Sequence, residues 1–189
     1  MAQAQGIEAL AKLQAQLEKQ GNKLGSVVAL REWGKALRDE SRFEESLRVH
    51  SKGLKQAEAM GDTIEWVLAL NYIGTNYRRL GVLDAAQTYH YQALRLTEES
   101  GDTCWLARKN YVKSLNGLGN IYMTLGNFKR ADSVLRKALE GEHQLGSDIG
   151  QAINCANLGS VANHMGKKDS AWAYYHRSMA FNRHANNKL

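Results

Sequence analysis

Proline is missing from all 189 residues of the chain, and cysteine is nearly so, with only Cys104 and Cys155. Proline breaks helices, so its absence beside 17 glycines points to an all-α chain whose turns are made by glycine. With no C-x-x-C pair and no His/Cys cluster, the two cysteines do not form the framework of a small secreted domain and are expected as free, buried thiols. No run of about 18 apolar residues occurs. The opening MAQAQGIEAL has neither the basic nor the apolar region of a signal peptide, so no membrane insertion is expected and the chain reads as cytoplasmic. A Gly-rich phosphate loop, H-E-x-x-H, G-x-S-x-G and kinase signatures are absent too, which argues against an enzyme and names no catalytic residue. His50, His90, His143, His164, His176 and His184 include no i, i+4 pair that would put two ligands on one helix face, so neither metal nor cofactor is expected.

What is present is a period. Aligning ALREWGKAL, ALNYIGTNY, SLNGLGNIY and NCANLGSVA brings Gly34, Gly74, Gly119 and Gly159 into register at spacings of 40, 45 and 40. A second set, Gly21, Gly61, Gly101 and Gly146, is spaced 40, 40 and 45, with Asn186 a further 40 on. Glycine and then asparagine are the residues best suited to the left-handed conformation that ends a helix.

Leu70, Ile73, Gly74 and Tyr77, then Ala86 and Ala93, follow a pattern of large, large, small, aromatic, small, small; Leu115, Leu118, Gly119, Tyr122, Ala131 and Ala138 repeat it. This pattern resembles the tetratricopeptide repeat. Small residues let two helix backbones approach closely while large ones fill the gap to the next repeat. The outer repeats depart from the pattern, with Leu37, Ser46 and Gly53 in the first and Ala162 and Ser178 in the fourth. A period of 40 rather than 34 resembles the longer class found in kinesin light chains, polarity scaffolds and bacterial peptide-sensing regulators. Five extra residues before Gly119 would rotate a helix by about 500° if placed in its packed part, so they must extend its front, at TCWLARKNY, and expose Trp105.

The resemblance implies one right-handed α-α superhelix over 1–189 with nine helices. Residues 1–22 hold an orphan second helix; repeats follow at 23–62, 63–102, 103–147 and 148–187. Lys188 and Leu189 fall where another first helix would begin. Neither end reads as a polar-faced cap, so the chain is expected to be an excerpt of a larger protein. His50 and His90 share one repeat position, 40 apart, and are expected as satisfied histidines packed between helices.

In such a fold the fifth, ninth and twelfth positions of each first helix face a concave groove. These are Arg31, Lys35 and Arg38; Asn71, Thr75 and Arg78; Asn116, Asn120 and Met123; and Ala156, Ser160 and Asn163. The set has no carboxylate. Cations at one end and amides at the other suit an extended acidic peptide, because asparagine can both donate to and accept from a backbone; the alternative is that they only solvate the unburied face. The net charge of +6 agrees with an acidic partner or with simple solubility.

The expected function is a non-catalytic protein- or peptide-binding scaffold within a regulator. A rival is self-association, a dimer formed through uncapped solenoid ends. An accessory domain of an enzyme is a third reading. Direct nucleic-acid binding is not expected, since Arg78 and Arg79 stand without a helix-turn-helix, zinc-finger or ribonucleoprotein motif.

Overall fold

Asn22, Asp62 and Ser147 occupy one position of the period, and each accepts a backbone N–H three residues on: Gly25 at 2.9 Å, Glu65 at 3.0 Å and Gly150 at 3.1 Å. Side-chain oxygens here satisfy donors that a helix start leaves without partners, so each fixes where a first helix begins.

The computed structural model describes residues 2–186. Among them are nine helices and no strand: α1 Ala2–Lys19, α2 Lys23–Asp39, α3 Phe43–Met60, α4 Thr63–Arg79, α5 Leu83–Ser100, α6 Trp105–Thr124, α7 Phe128–Gln144, α8 Asp148–His164 and α9 Lys168–Asn186. None is long and apolar enough to cross a membrane. The expectations for residue 187, Lys188 and Leu189 lie outside the described residues.

The chain divides into two compact units, one ending at Gly101 and the other beginning at Asp102. In unit 1, α1 to α5 pack in sequence order, each on the next, and α2 also touches α4. Ile7, Leu30, Leu37 and Val49 form one core cluster, joined by Trp33; Val67, Leu70 and Ala93 form another, joined by Leu54, Trp66, Tyr89 and Leu96. In unit 2, α6 packs on α7, α7 on α8 and α8 on α9. Leu115, Leu118, Ile121, Leu135, Leu158 and Val161 are fully enclosed there. Each side chain of this size contributes roughly 1.5–3 kcal/mol when removed from water.

The register glycines are buried because a side chain faces each of them. A methyl group on Gly34 would lie 2.4 Å from the His50 ring, on Gly74 2.9 Å from His90, on Gly119 2.5 Å from Leu135 and on Gly159 2.8 Å from Tyr175. The facing residue always comes 16 positions later, on the second helix of the same hairpin. His50 and His90 are each 1% exposed, in line with the packing role read from sequence. His50 stacks on Tyr72 at 4.8 Å, and His90 Nδ1 shares a 2.9 Å hydrogen bond with Asn71 Oδ1.

The hairpin turns pass through Ser41, Gly81, Gly126 and Gly166, with φ of 61°, 80°, 70° and 74°. Serine alone holds this left-handed position without being glycine, a strained choice for a residue with a Cβ. The two serines that replace the pattern's alanine have a bonding role. Ser46 Oγ donates to Gly34 O at 2.7 Å and Ser178 Oγ to Ala152 O at 2.8 Å, both buried between helices.

Two expectations meet the insertion. Helix α6 is 20 residues long against 17 for α2, α4 and α8, so three of the five extra residues lengthen its front and the other two fall in the connection after Gly101; Trp105 is 58% exposed beneath Lys109. Cys104, expected to be buried, is exposed: it caps α6 by accepting the Ala107 N–H at 3.4 Å. Cys155 is buried as expected, and burial raises its thiol pKa against the nearby Arg177 charge.

Candidate protein-interaction face

Arg31, Lys35 and Arg38 recur at intervals of four and three, so one stripe of α2 carries all three. The structure leaves each half-buried and brings carboxylates to them. Arg31 bonds Glu32 at 3.0 Å and makes a second, short contact with Glu65 of α4; Lys35 bonds Glu32 at 2.7 Å; Arg38 bonds Asp39 at 2.9 Å and lies 5.4 Å from the Tyr72 ring centre. Burial alone would lower the Arg31 pKa, but the bonds from Glu32 and the charge of Glu65 raise it. Glu65 moves up as well, because its own burial outweighs the attraction of Arg31. Read as a list of inward positions, the stripe had no carboxylate; in the fold Glu32 and Glu65 sit beside it. Glu32 follows Arg31 directly, a signal visible in sequence, whereas Glu65 arrives from 34 residues away.

On α4 the three candidates separate. Asn71 is wholly buried and engaged with His90, so its side chain is not offered to a ligand. Thr75 donates back to Asn71 O at 2.8 Å. Arg78 is half-buried, and burial first, then the neighbouring Arg79, lowers its pKa. No carboxylate bonds Arg78 among the described residues. Sequence reasoning passed over Asn76, which is fully buried and donates to Ser46 Oγ at 2.7 Å, linking α4 to α3.

Unit 2 carries the amides. Asn116 is half-buried on α6, its Oδ1 enclosed without a hydrogen-bond partner, and it lies against the Glu142 carboxyl of α7. Asn120 is half-buried, and its carbonyl accepts Thr124 Oγ1 at 2.9 Å. Asn163 is exposed near the end of α8. Met123 is half-buried and Ser160 O accepts from His164 Nδ1 at 2.8 Å; Ala156 is half-buried. Among the described residues no group of three or more His, Cys, Asp or Glu is placed to hold a metal.

Models of the tetratricopeptide repeat match residues 66–100 and 112–140. Comparison with the curated proteins finds none that matches. Among solved structures the chain is similar to BtubC (BKLC) from P. vanneervenii, at 19% identity and a TM-score of 0.83, over 97% of this chain and 75% of that one. It is also similar to the nearly identical TPR-like repeats, of kinesin light chain type, from Podosopora anserina: 12% identity, TM-score 0.69, 97% of this chain and 88% of that one. MamA is a third, at 18% identity and a TM-score of 0.61, over 96% of this chain and 89% of that one. Residues 66–100 and 112–140 therefore match tetratricopeptide repeats, and the fold is that of TPR-like helical solenoids. This fold is of the kind that mediates protein–protein interaction, and such repeats are generally non-catalytic.

Proposed function

We propose that the chain is a protein-binding scaffold whose α2–α4 face, in unit 1, takes an extended acidic segment of a partner. The observation that carries this reading is Arg78. A half-buried guanidinium with no carboxylate to offset its lost hydration is costly, and a carboxylate supplied by a partner would recover that cost. Arg38, next to the Tyr72 ring in the register-equivalent position on α2, extends the cationic surface. Arg31 and Lys35 contribute less, because Glu32 and Glu65 already hold them. The four repeats proposed, 23–62, 63–102, 103–147 and 148–187, would give unit 2 its own amide-bearing face at Asn116, Asn120 and Asn163, suited to backbone rather than charge recognition.

The test uses a fluorescein-labelled peptide of alternating glutamate and serine, with glutamine in place of glutamate as control. Binding should weaken by roughly tenfold in Arg78→Gln, at an unchanged melting temperature, and fall with added salt. Equal affinity for the two peptides would refute the assignment.

A second reading, self-association, is favoured by the apolar surface of unit 2. Trp172 is 66% exposed, Ile149 61%, Ile153 54% and Met179 45%. The repeat equivalents of half-exposed Tyr175, namely His50, His90 and Leu135, are all at most 1% exposed. Light scattering over a concentration series decides: a mass that stays monomeric in the native chain removes this reading.

A further inference from the structure

Unit 2 holds an open groove of about 800 Å³ between α7 and α9, floored by the start of α8. It is built from second helices and lies outside the first-helix positions discussed above. Tyr174 of α9 lines it, with two guanidinium groups near its ring, Arg136 at 5.6 Å and Arg177 at 5.8 Å. Arg136 is held by both oxygens of Asp132, at 2.8 and 3.0 Å. Three other groups of the groove are engaged as well: His184 Nδ1 meets Asp148 Oδ2 at 2.8 Å and Glu140 accepts from Gln144 at 3.1 Å. Arg177 lines the groove with no carboxylate bonded to it among the described residues. Beside these polar groups Leu139 and Phe181 supply half-buried apolar wall.

We infer that this groove is a second binding site, for a short protein segment carrying one carboxylate next to a large apolar side chain. The volume lies within the range of roughly 300–1,000 Å³ typical of ligand sites, enough for a few residues. The carboxylate pairs with Arg177, the site's one lining cation not bonded to an acid among the described residues, and the apolar neighbour rests on Leu139 and Phe181. The resident carboxylates Glu140 and Asp148 decide the charge class. They tolerate one added negative charge offset by Arg177 but repel a polyanion, which sets the site apart from a nucleic-acid or polyphosphate surface. Gln151, buried and holding His143 Nδ1 at 3.3 Å, and Tyr174, against Arg136, complete the lining. This site is independent of the α2–α4 face and stands or falls without it.

The probe is N-acetyl-Ser-Phe-Glu-Phe-Ser-amide, titrated into the isotope-labelled full chain and followed by amide NMR shifts. Saturable shifts should cluster on α7, α9 and the first turn of α8. Affinity should drop by roughly tenfold for the glutamine peptide and in Arg177→Gln, recover in part in Arg177→Lys, and stay unchanged in Arg78→Gln. Arg177 is exposed, so these variants should melt with the native chain. Equal binding of the glutamine peptide, indifference to Arg177→Gln, shifts confined to unit 1, or no saturable shift would each overturn the inference. So would inorganic phosphate alone matching the peptide in shifts and affinity, which would assign the groove to a free anion.

Discussion

At Gly119 and its equivalents a side chain of the second helix comes against bare backbone of the first, and a pair of alanine substitutions tests that directly. Gly119 and Gly53 are both buried inside helices, and both should gain about 1 kcal/mol of helix propensity when replaced by alanine. Their surroundings differ. At Gly53 the new methyl would meet Leu30 Cβ at 3.6 Å, an ordinary contact, and would restore the alanine found at the same repeat position in Ala93 and Ala138. Gly53→Ala is therefore expected to stabilise by about 0.5–1 kcal/mol. At Gly119 the methyl would sit 2.5 Å from Leu135 Cδ2 and 2.7 Å from Cγ, and Leu135 is wholly buried. Overpacking of this kind costs about 1–3 kcal/mol, so after the propensity gain Gly119→Ala should be neutral to about 2 kcal/mol destabilising. Gly119→Leu, with no space for its longer side chain, should cost about 3 kcal/mol or more. Leu135→Ala alone should cost about 2–5 kcal/mol, but combined with Gly119→Ala the loss should fall short of the sum by roughly 1 kcal/mol, since the new methyl enters the vacated volume. Urea unfolding followed by far-UV circular dichroism measures all five variants. If Gly119→Ala stabilises as much as Gly53→Ala, or if the double variant is additive, the close α6–α7 approach is refuted.

Two further outcomes follow from single positions. Ser41 holds a left-handed φ of 61° where the other three hairpins use glycine, so Ser41→Gly should raise stability by up to about 1 kcal/mol and Ser41→Val should lower it by more than that; the same urea titration checks both, and a destabilised Ser41→Gly would contradict the strain. Burial raises the Glu142 pKa above its ordinary 4.5, opposed by a bond from Ser147, the Lys109 charge and Asn116. The folded state thus holds this proton more tightly than the unfolded chain, and the stability it contributes is complete below pH 4.5 and is lost as pH rises through the folded value. Glu142→Gln should therefore gain on the native chain as pH climbs from 4.5 toward neutrality, and a constant difference between their melting temperatures across that window would sink the argument.

Period, helix number and turn positions were legible in the sequence because the constraints that produce them are local and repeated. A backbone that must take positive φ at Gly61, or come against a neighbouring helix at Gly74, excludes most side chains, and four copies at fixed spacing make the exclusion visible. The same periodicity placed Arg31, Lys35 and Arg38 on one stripe of α2, since residues four and three apart share a helix face whatever surrounds it. What surrounds the stripe was decided only by packing. Glu65 reaches Arg31 across 34 residues, Asn71 turns from a groove position into a buried partner of His90, and Cys104 is exposed because the longer α6 uses it as a cap. The α7–α9 groove exists through Arg136, Gln151 and Arg177 meeting from three helices. Helical spacing is a property of one segment, but depth of burial and choice of partner belong to pairs of segments, and those are set by tertiary contact alone.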